Sequence, residues 1–397
     1  MHKMRKGIKF CASCAFLWPL LLHEEHPMKK TPSFPVLALL LLFAMTSQSS
    51  SQAGKPAPSK MPGTFTYIPK ADLEALMGPT RGDRPSRVVN IGGGANLGVY
   101  ILHYPTMKNP LPPSSFYHTE ISELYYVIRG EGTALLGGEL ENPTWRDTNT
   151  TSFREVSGPG VAGTIKNYKT QKWLPGDIII VPAGVPHTIG FEVTVPNDIL
   201  RVVFDPKRVL KLVTSRNESL ARLKAETQEP AAAAAAPGKP GPSKMPGEFT
   251  FIPKAATEAL MGPTRGDRPA RVVNVASGAN LGAFILHYET MKNTLPVTSF
   301  YHSEVSELYY VIRGEGTALL GGELENPVWD DPNSTAIKEV RGPSVNGTMK
   351  NYTTQKWSAG DAIIVSAGVP HSMGFEVTAR TDILRVVVDP RRALQLK

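Results

Sequence analysis

Cysteine is nearly absent from this chain. Of 397 residues only Cys11 and Cys14 are cysteine. Their C-x-x-C spacing suits redox or zinc chemistry in other settings, but no second ligand pair accompanies them. Both precede "SQA" ending at Ala53, which reads as a small-residue cleavage site after the charged start Met28-Lys29-Lys30 and the apolar run Pro35 to Met45. The mature chain then has neither a disulfide nor a cysteine nucleophile. The apolar run is too short to span a bilayer, so residues 1–53 are expected to be a leader, and the protein an exported, periplasmic one without a stable membrane anchor. Basic clusters are scarce too. Residues 1–53 hold six Lys/Arg against two Asp/Glu, so the formal charge of +8 falls to +4 beyond them. No dense basic stripe remains, which argues against a nucleic-acid partner.

Histidine is also rare, and its placing is informative. Outside the leader there are six histidines, in pairs 184 residues apart: His103 and His287, His118 and His302, His187 and His371. The whole sequence repeats with that offset from about Ser59 to Asp205. "ELYYVIRGEGTALLGGELENP" begins at Glu123 and recurs unchanged at Glu307. An internal duplication of this length predicts two equivalent domains, 60–213 and 244–397. Residues 214–243 supply a helix and an Ala/Pro/Gly tether. Within each copy, short apolar or alternating runs separated by Gly, Pro, Asn and Asp read as strands, giving an all-β fold. A short helix is expected near Lys70 to Met77, and a second from Val209 to Lys224. The "RGD" triplets at Arg81 and Arg265 read as loop turns. "GGG" at Gly92 to Gly94 also reads as a turn, since Ala276 and Ser277 replace its first two glycines in the second copy.

Two segments carry the chemistry. "FYHTEISELYYVIRG" offers His118 and Glu123, and "PGDIIIVPAGVPH" offers His187 at the end of a strand. Strand alternation puts Phe116 and His118 on one face and Glu123, Tyr125 and Val127 on one face of the next strand. Two imidazoles and a carboxylate meeting in one cavity form a facial triad with open positions. Copy two repeats it with His302, Glu307 and His371.

These segments resemble the two motifs of the cupin superfamily, and the doubled unit resembles a bicupin. His118, Glu123 and Gly130 match the later part of the first motif. Gly176, Pro182, Gly184 and His187 match the second, as do Gly360, Gly368 and His371, with Ser366 in place of the proline. The resemblance implies two tandem double-stranded β-helix (jelly-roll) barrels with few short helices. It implies a divalent ion, Fe, Mn or Zn, in each, and activity as an oxidoreductase, decarboxylase or isomerase on a small organic molecule. The chain departs from the pattern at Phe116 and Phe300, where the family has its first histidine, at Phe191 and Phe375, where it has asparagine, and at Pro110. Two substitutes for the missing ligand are on hand: His103 and His287 on the preceding strand, or Glu120 and Glu304 in an alternative register. The three-ligand site ranks first. No general base stands out; Glu120, Tyr125 and their counterparts Glu304 and Tyr309 are the candidates. Arg129 and Arg313 are candidates for pairing with an anion, although a strand-end position favours solvent exposure. The competing reading is a non-catalytic module binding a sugar or organic acid. Association into a homo-oligomer through the sheets is a further expectation.

Overall fold

A computed structural model of the chain describes residues 64–91, 93–226, 248–275 and 278–397. The segment expected to be a leader, its two cysteines and the Ala/Pro/Gly tether lie outside these residues. No helix among the described residues is long and apolar enough to cross a membrane.

Each copy builds an 11-stranded antiparallel sheet with the same strand order. In the first, Ile178–Val181 lies on Ser122–Leu136, which lies on His187–Asp205; Ser114–His118, Gly160–Lys166 and Glu139–Trp145 follow. Asn96–Tyr104 also pairs with His187–Asp205, and Gly82–Asn90 pairs with Asn96–Tyr104. Sequence runs that look like separate strands are continuous. "SELYYVIRG" and "GTALLGG" join into Ser122–Leu136, bent at Gly130. Gly130 has φ +84°, and a Cβ there would come within 2.4 Å of the Pro196 carbonyl, so only glycine permits the bend. The bend lets one strand serve both halves of the barrel wall.

Alternation sorts the side chains into two cores. Tyr125, Val127, Ile179 and Ile199 fill the barrel. Their neighbours Leu124, Tyr126, Ile178 and Leu200 point outward and join Leu308, Tyr310, Ile364 and Leu384 of the second copy in one shared cluster. Tyr126 and Tyr310 meet there with ring centroids 5.6 Å apart. Burial on both faces explains the unbroken apolar run "IIIV".

The copies also trade edge strands. Phe65–Ile68 of the first copy pairs with Ala362–Val365 of the second, and Thr250–Ile252 pairs with Ile178–Val181 of the first. Asp361 Oδ1 accepts the Lys70 N–H at 2.7 Å, and Asp177 Oδ1 accepts the Lys254 N–H at 2.7 Å. These carboxylates fix the start of the short helices Lys70–Glu74 and Lys254–Glu258 on the neighbouring barrel.

The helix expected from Val209 begins only at Arg216. Asp205 accepts the N–H groups of Val209 and Leu210, both at 3.0 Å, and Val213 bridges to Val88. The backbone groups a helix would need are already committed.

Candidate metal centre

His118 ends its strand, Glu123 lies near the start of the next, and His187 opens the long strand after the Pro182–Gly184 turn. Their possible ligand atoms all lie within 4.8 Å of one another, and the same holds for His302, Glu307 and His371. His118 Nε2 is 3.1 Å from Glu123 Oε1, and His187 Nε2 is 3.1 Å from Oε2. In the second barrel the separations are 3.0 and 3.1 Å. All six side chains are buried.

The protons on these imidazoles are fixed from behind. His118 Nδ1–H donates to the Ser157 carbonyl at 2.6 Å, and His187 Nδ1–H to the Val185 carbonyl at 2.9 Å. His371 Nδ1–H donates to the Val369 carbonyl at 2.9 Å. His302 Nδ1 meets Ser344 Oγ at 2.9 Å, whose own proton goes to the Gly342 carbonyl. A carbonyl can only accept, so each ring's proton sits on Nδ1 and its Nε2 lone pair faces the carboxylate. Burial pushes His118 and His302 down to about 4, so both stay neutral near pH 7. His118 and His302 then turn Nε2 lone pairs toward the carboxylates, and His371 Nε2 is buried without a hydrogen-bond partner. That donor set fits a divalent cation. Ligands about 2.1 Å from one ion at adjacent positions stand about 3 Å apart, the spacing of His187 Nε2 and Glu123 Oε2. The backing carbonyls are the usual partners of ligating histidines.

Both motif segments thus meet inside one β-barrel, twice over. The fold is cupin-like, two antiparallel β-barrels in tandem. No family model and no curated protein sequence matches the chain. Among solved structures, salicylate 1,2-dioxygenase from Pseudaminobacter salicylatoxidans is 14% identical, with a TM-score of 0.44 over 85% of this chain and 87% of that one. Oxalate decarboxylase from Lactobacillus farciminis is 15% identical, TM-score 0.40, covering 84% and 90%. A cupin 2 conserved barrel protein from Leptotrichia buccalis is 11% identical, TM-score 0.37, covering 83% and 99%.

Each barrel ties its glutamate to further charged groups. Arg201 Nε donates to Glu123 Oε1 at 2.7 Å and its Nη2 reaches the same oxygen, while Nη1 donates to Asp83 Oδ2 at 2.7 Å. Tyr125 Oη donates to Glu123 Oε2 at 2.7 Å. Burial alone would raise the Glu123 carboxyl, but Arg201, His118 and His187 together hold it well below the carboxylate range. Arg385, Asp267 and Tyr309 repeat the network around Glu307. The guanidinium takes up Oε1, while Oε2 accepts from Tyr125 and has a second lone pair for an ion. The "RGD" triplet is therefore not just a turn. Gly82 and Asp83 open a strand, and Asp83 closes the charge network. A single wide, π-helical turn at Phe153–Ser157 positions the site from the side. Consecutive carbonyls of Glu155, Val156 and Ser157 accept from Tyr100, Arg201 and His118. Sequence reasoning missed Arg201 and Asp83.

The other candidate residues lie elsewhere. Glu120 pairs with Lys207 at 2.6 Å and Glu304 with Arg391 at 3.1 Å; neither joins a triad. His103 and His287 are buried against Asp198 and Asp382, at 2.8 and 2.6 Å, and also stand apart from the triads. Arg129 and Arg313 bond these same aspartates with their side chains largely in solvent. Tyr125 and Tyr309 do sit at the centre. Burial and then the adjacent carboxylate raise both phenols well above their ordinary range, so they hold their protons and act as donors rather than bases.

Proposed function

We propose that each barrel binds one divalent cation through His118, Glu123 and His187, or His302, Glu307 and His371, and that the chain is a metal-dependent enzyme acting on a small organic molecule. The carrying observation is the pair of Nδ1-anchored imidazoles whose Nε2 lone pairs face a carboxylate already fixed by Arg201. When bound, such an ion supplies Lewis acidity or a redox centre. The chain's own groups bind and orient. Tyr125 keeps its proton and holds Glu123 Oε2 in place, while Arg201 keeps Glu123 ionised. Phe116 packs its ring against both imidazoles and offers no ligand atom, so the protein supplies three ligands and further positions would fall to a guest. Among the described residues none at the triad is poised as a general base. This favours reactions driven by substrate activation, oxidation or decarboxylation, over those needing proton abstraction by a side chain.

Elemental analysis of the purified chain tests this reading. Two divalent ions per chain are expected, and His187→Ala should leave one. A chain that takes up no Fe(II), Mn(II) or Zn(II) on dialysis would rule it out. Oxygen uptake during turnover in air, absent under argon, would assign the oxidoreductase class. The leader reading adds export to the periplasm, tested by fractionating cells that express the full chain.

The alternative, a binding module without turnover, is favoured by one feature: the triad residues are at most 3% exposed. A metal-loaded chain that retains small molecules unchanged would favour it.

A further inference from the structure

In each barrel a phenylalanine touches both imidazoles of the triad. The Phe116 centroid lies 5.1 Å from that of His118 and 4.9 Å from that of His187. Phe300 lies 5.1 and 5.0 Å from His302 and His371. Each ring also carries a guanidinium on its face. Arg146 Cζ is 4.9 Å from the Phe116 centroid, and Arg341 Cζ is 4.5 Å from the Phe300 centroid.

These arginines are not equivalent in the duplication. Moving 184 residues forward takes Arg146 to Asp330, and takes Ser157 to Arg341. The first copy delivers its guanidinium from just beyond the strand Glu139–Trp145, the second from the turn Ile337–Arg341. The copies have diverged at both positions, yet each puts one cation on the same ring. Local backbone cannot explain that, because the backbone positions differ. The common factor is the spot beside the triad.

Packing does not require a charge there either. A methionine would cover the ring without desolvating a cation. In the first barrel burial, then Arg201, pushes the Arg146 guanidinium down from its ordinary range. Its Nη1 is buried without a partner, and Nη2 has only Ser152 Oγ at 3.4 Å. An unanswered cationic donor on the ring that packs against both imidazoles is suited to a planar anion, above all a carboxylate. The second barrel differs. Arg341 Nη1 lies 3.9 Å from Asp330 Oδ2, the residue standing where the first copy has Arg146. Its charge is partly answered by the protein.

We propose that Arg146 and Arg341 are the anion-recognising groups of the two centres, that they select a small carboxylate, and that the first barrel binds it more tightly. The two sites are thus related but unequal. This rests on the metal reading above and adds the substrate class to it.

Calorimetric titration of the metal-loaded full chain with benzoate, and with neutral benzamide as control, tests the proposal. Benzoate should bind at two unequal sites and benzamide at neither. Arg146→Met should weaken the tighter site at least tenfold, and Arg341→Met should abolish the weaker. Arg146→Lys should restore part of the affinity. Elemental analysis should still find two ions in each variant, with unchanged thermal unfolding. Arg146→Asp combined with Ser157→Arg should give the first barrel the weaker affinity of the second. Unaltered benzoate binding in Arg146→Met, equal binding of benzamide, or no benzoate binding by the parent chain overturns the proposal. A chain that holds no ion, but still loses benzoate on Arg146→Met, sinks the metal reading and leaves the role of the arginines standing.

Discussion

Arg201, itself buried, holds the carboxylates of Glu123 and Asp83. Removing it as Arg201→Leu takes the guanidinium away from the buried Glu123 carboxylate. The expected loss is about 3–5 kcal/mol, read as a fall in the urea midpoint; a change below about 1 kcal/mol would mean that Glu123 is neutral in the folded chain. His118 and His302 set the pH response of metal-stripped protein. Their folded values, about 4, lie below the ordinary 6.5. The unfolded chain therefore takes up these protons first as pH falls. Their contribution is complete above pH 6.5, shrinks through the window to 4, and is gone below it, at most about 3 kcal/mol for each. Urea midpoints at pH 7, 5.5 and 4.5 should decline in that order. His118, Glu123 and His187 could be read from spacing because the ligand types are rare and recur at one offset. Arg201 was hidden in "DILRVVFD", where it looks like an interruption. A charge at an inward position of an apolar strand run was the sign available. Asp83 was hidden by its tripeptide, which suggests a loop when read alone.

Among the elements, the traded strands are held by one aspartate each. Asp361 accepts from Lys70 N–H, Tyr67 Oη and Ser358 N–H. Asp177 accepts from Lys254 N–H and Leu174 N–H, and Phe251 stands where Tyr67 would give a third bond. Asp361→Ala should therefore destabilise more than Asp177→Ala, within the range of about 1–3 kcal/mol for stranded buried donors. Chemical denaturation of the two variants checks the order, and equal losses would show that Tyr67 contributes nothing. Strand type and position were legible from alternation across nearly the whole of each copy. Their joining was not. Gly130 and Gly132 look like a turn in the sequence, and only the close approach of Pro196 and Glu192 reveals a bend within one strand. The missing turns of helix after Val209 have a similar cause: Asp205 captures the backbone at a distance the local pattern cannot register.

For the whole molecule, the repeat announced two barrels but was silent on which strands close them. Identical edges accept identical strands, so nothing in a duplicated sequence distinguishes pairing within a copy from pairing across copies. The shared cluster around Tyr126 and Tyr310 and the two exchanged strands make the halves interdependent. A protease site introduced between residues 229 and 243, once cut, should leave both halves co-eluting on gel filtration under native conditions. Separation into independent fragments would contradict the exchange. The same pairing sets an order on the ribosome. The Ile178–Val181 edge lacks its final partner until Thr250–Ile252 has been synthesised, so the nascent first barrel has to wait for the opening of its own duplicate before its native pairing is complete.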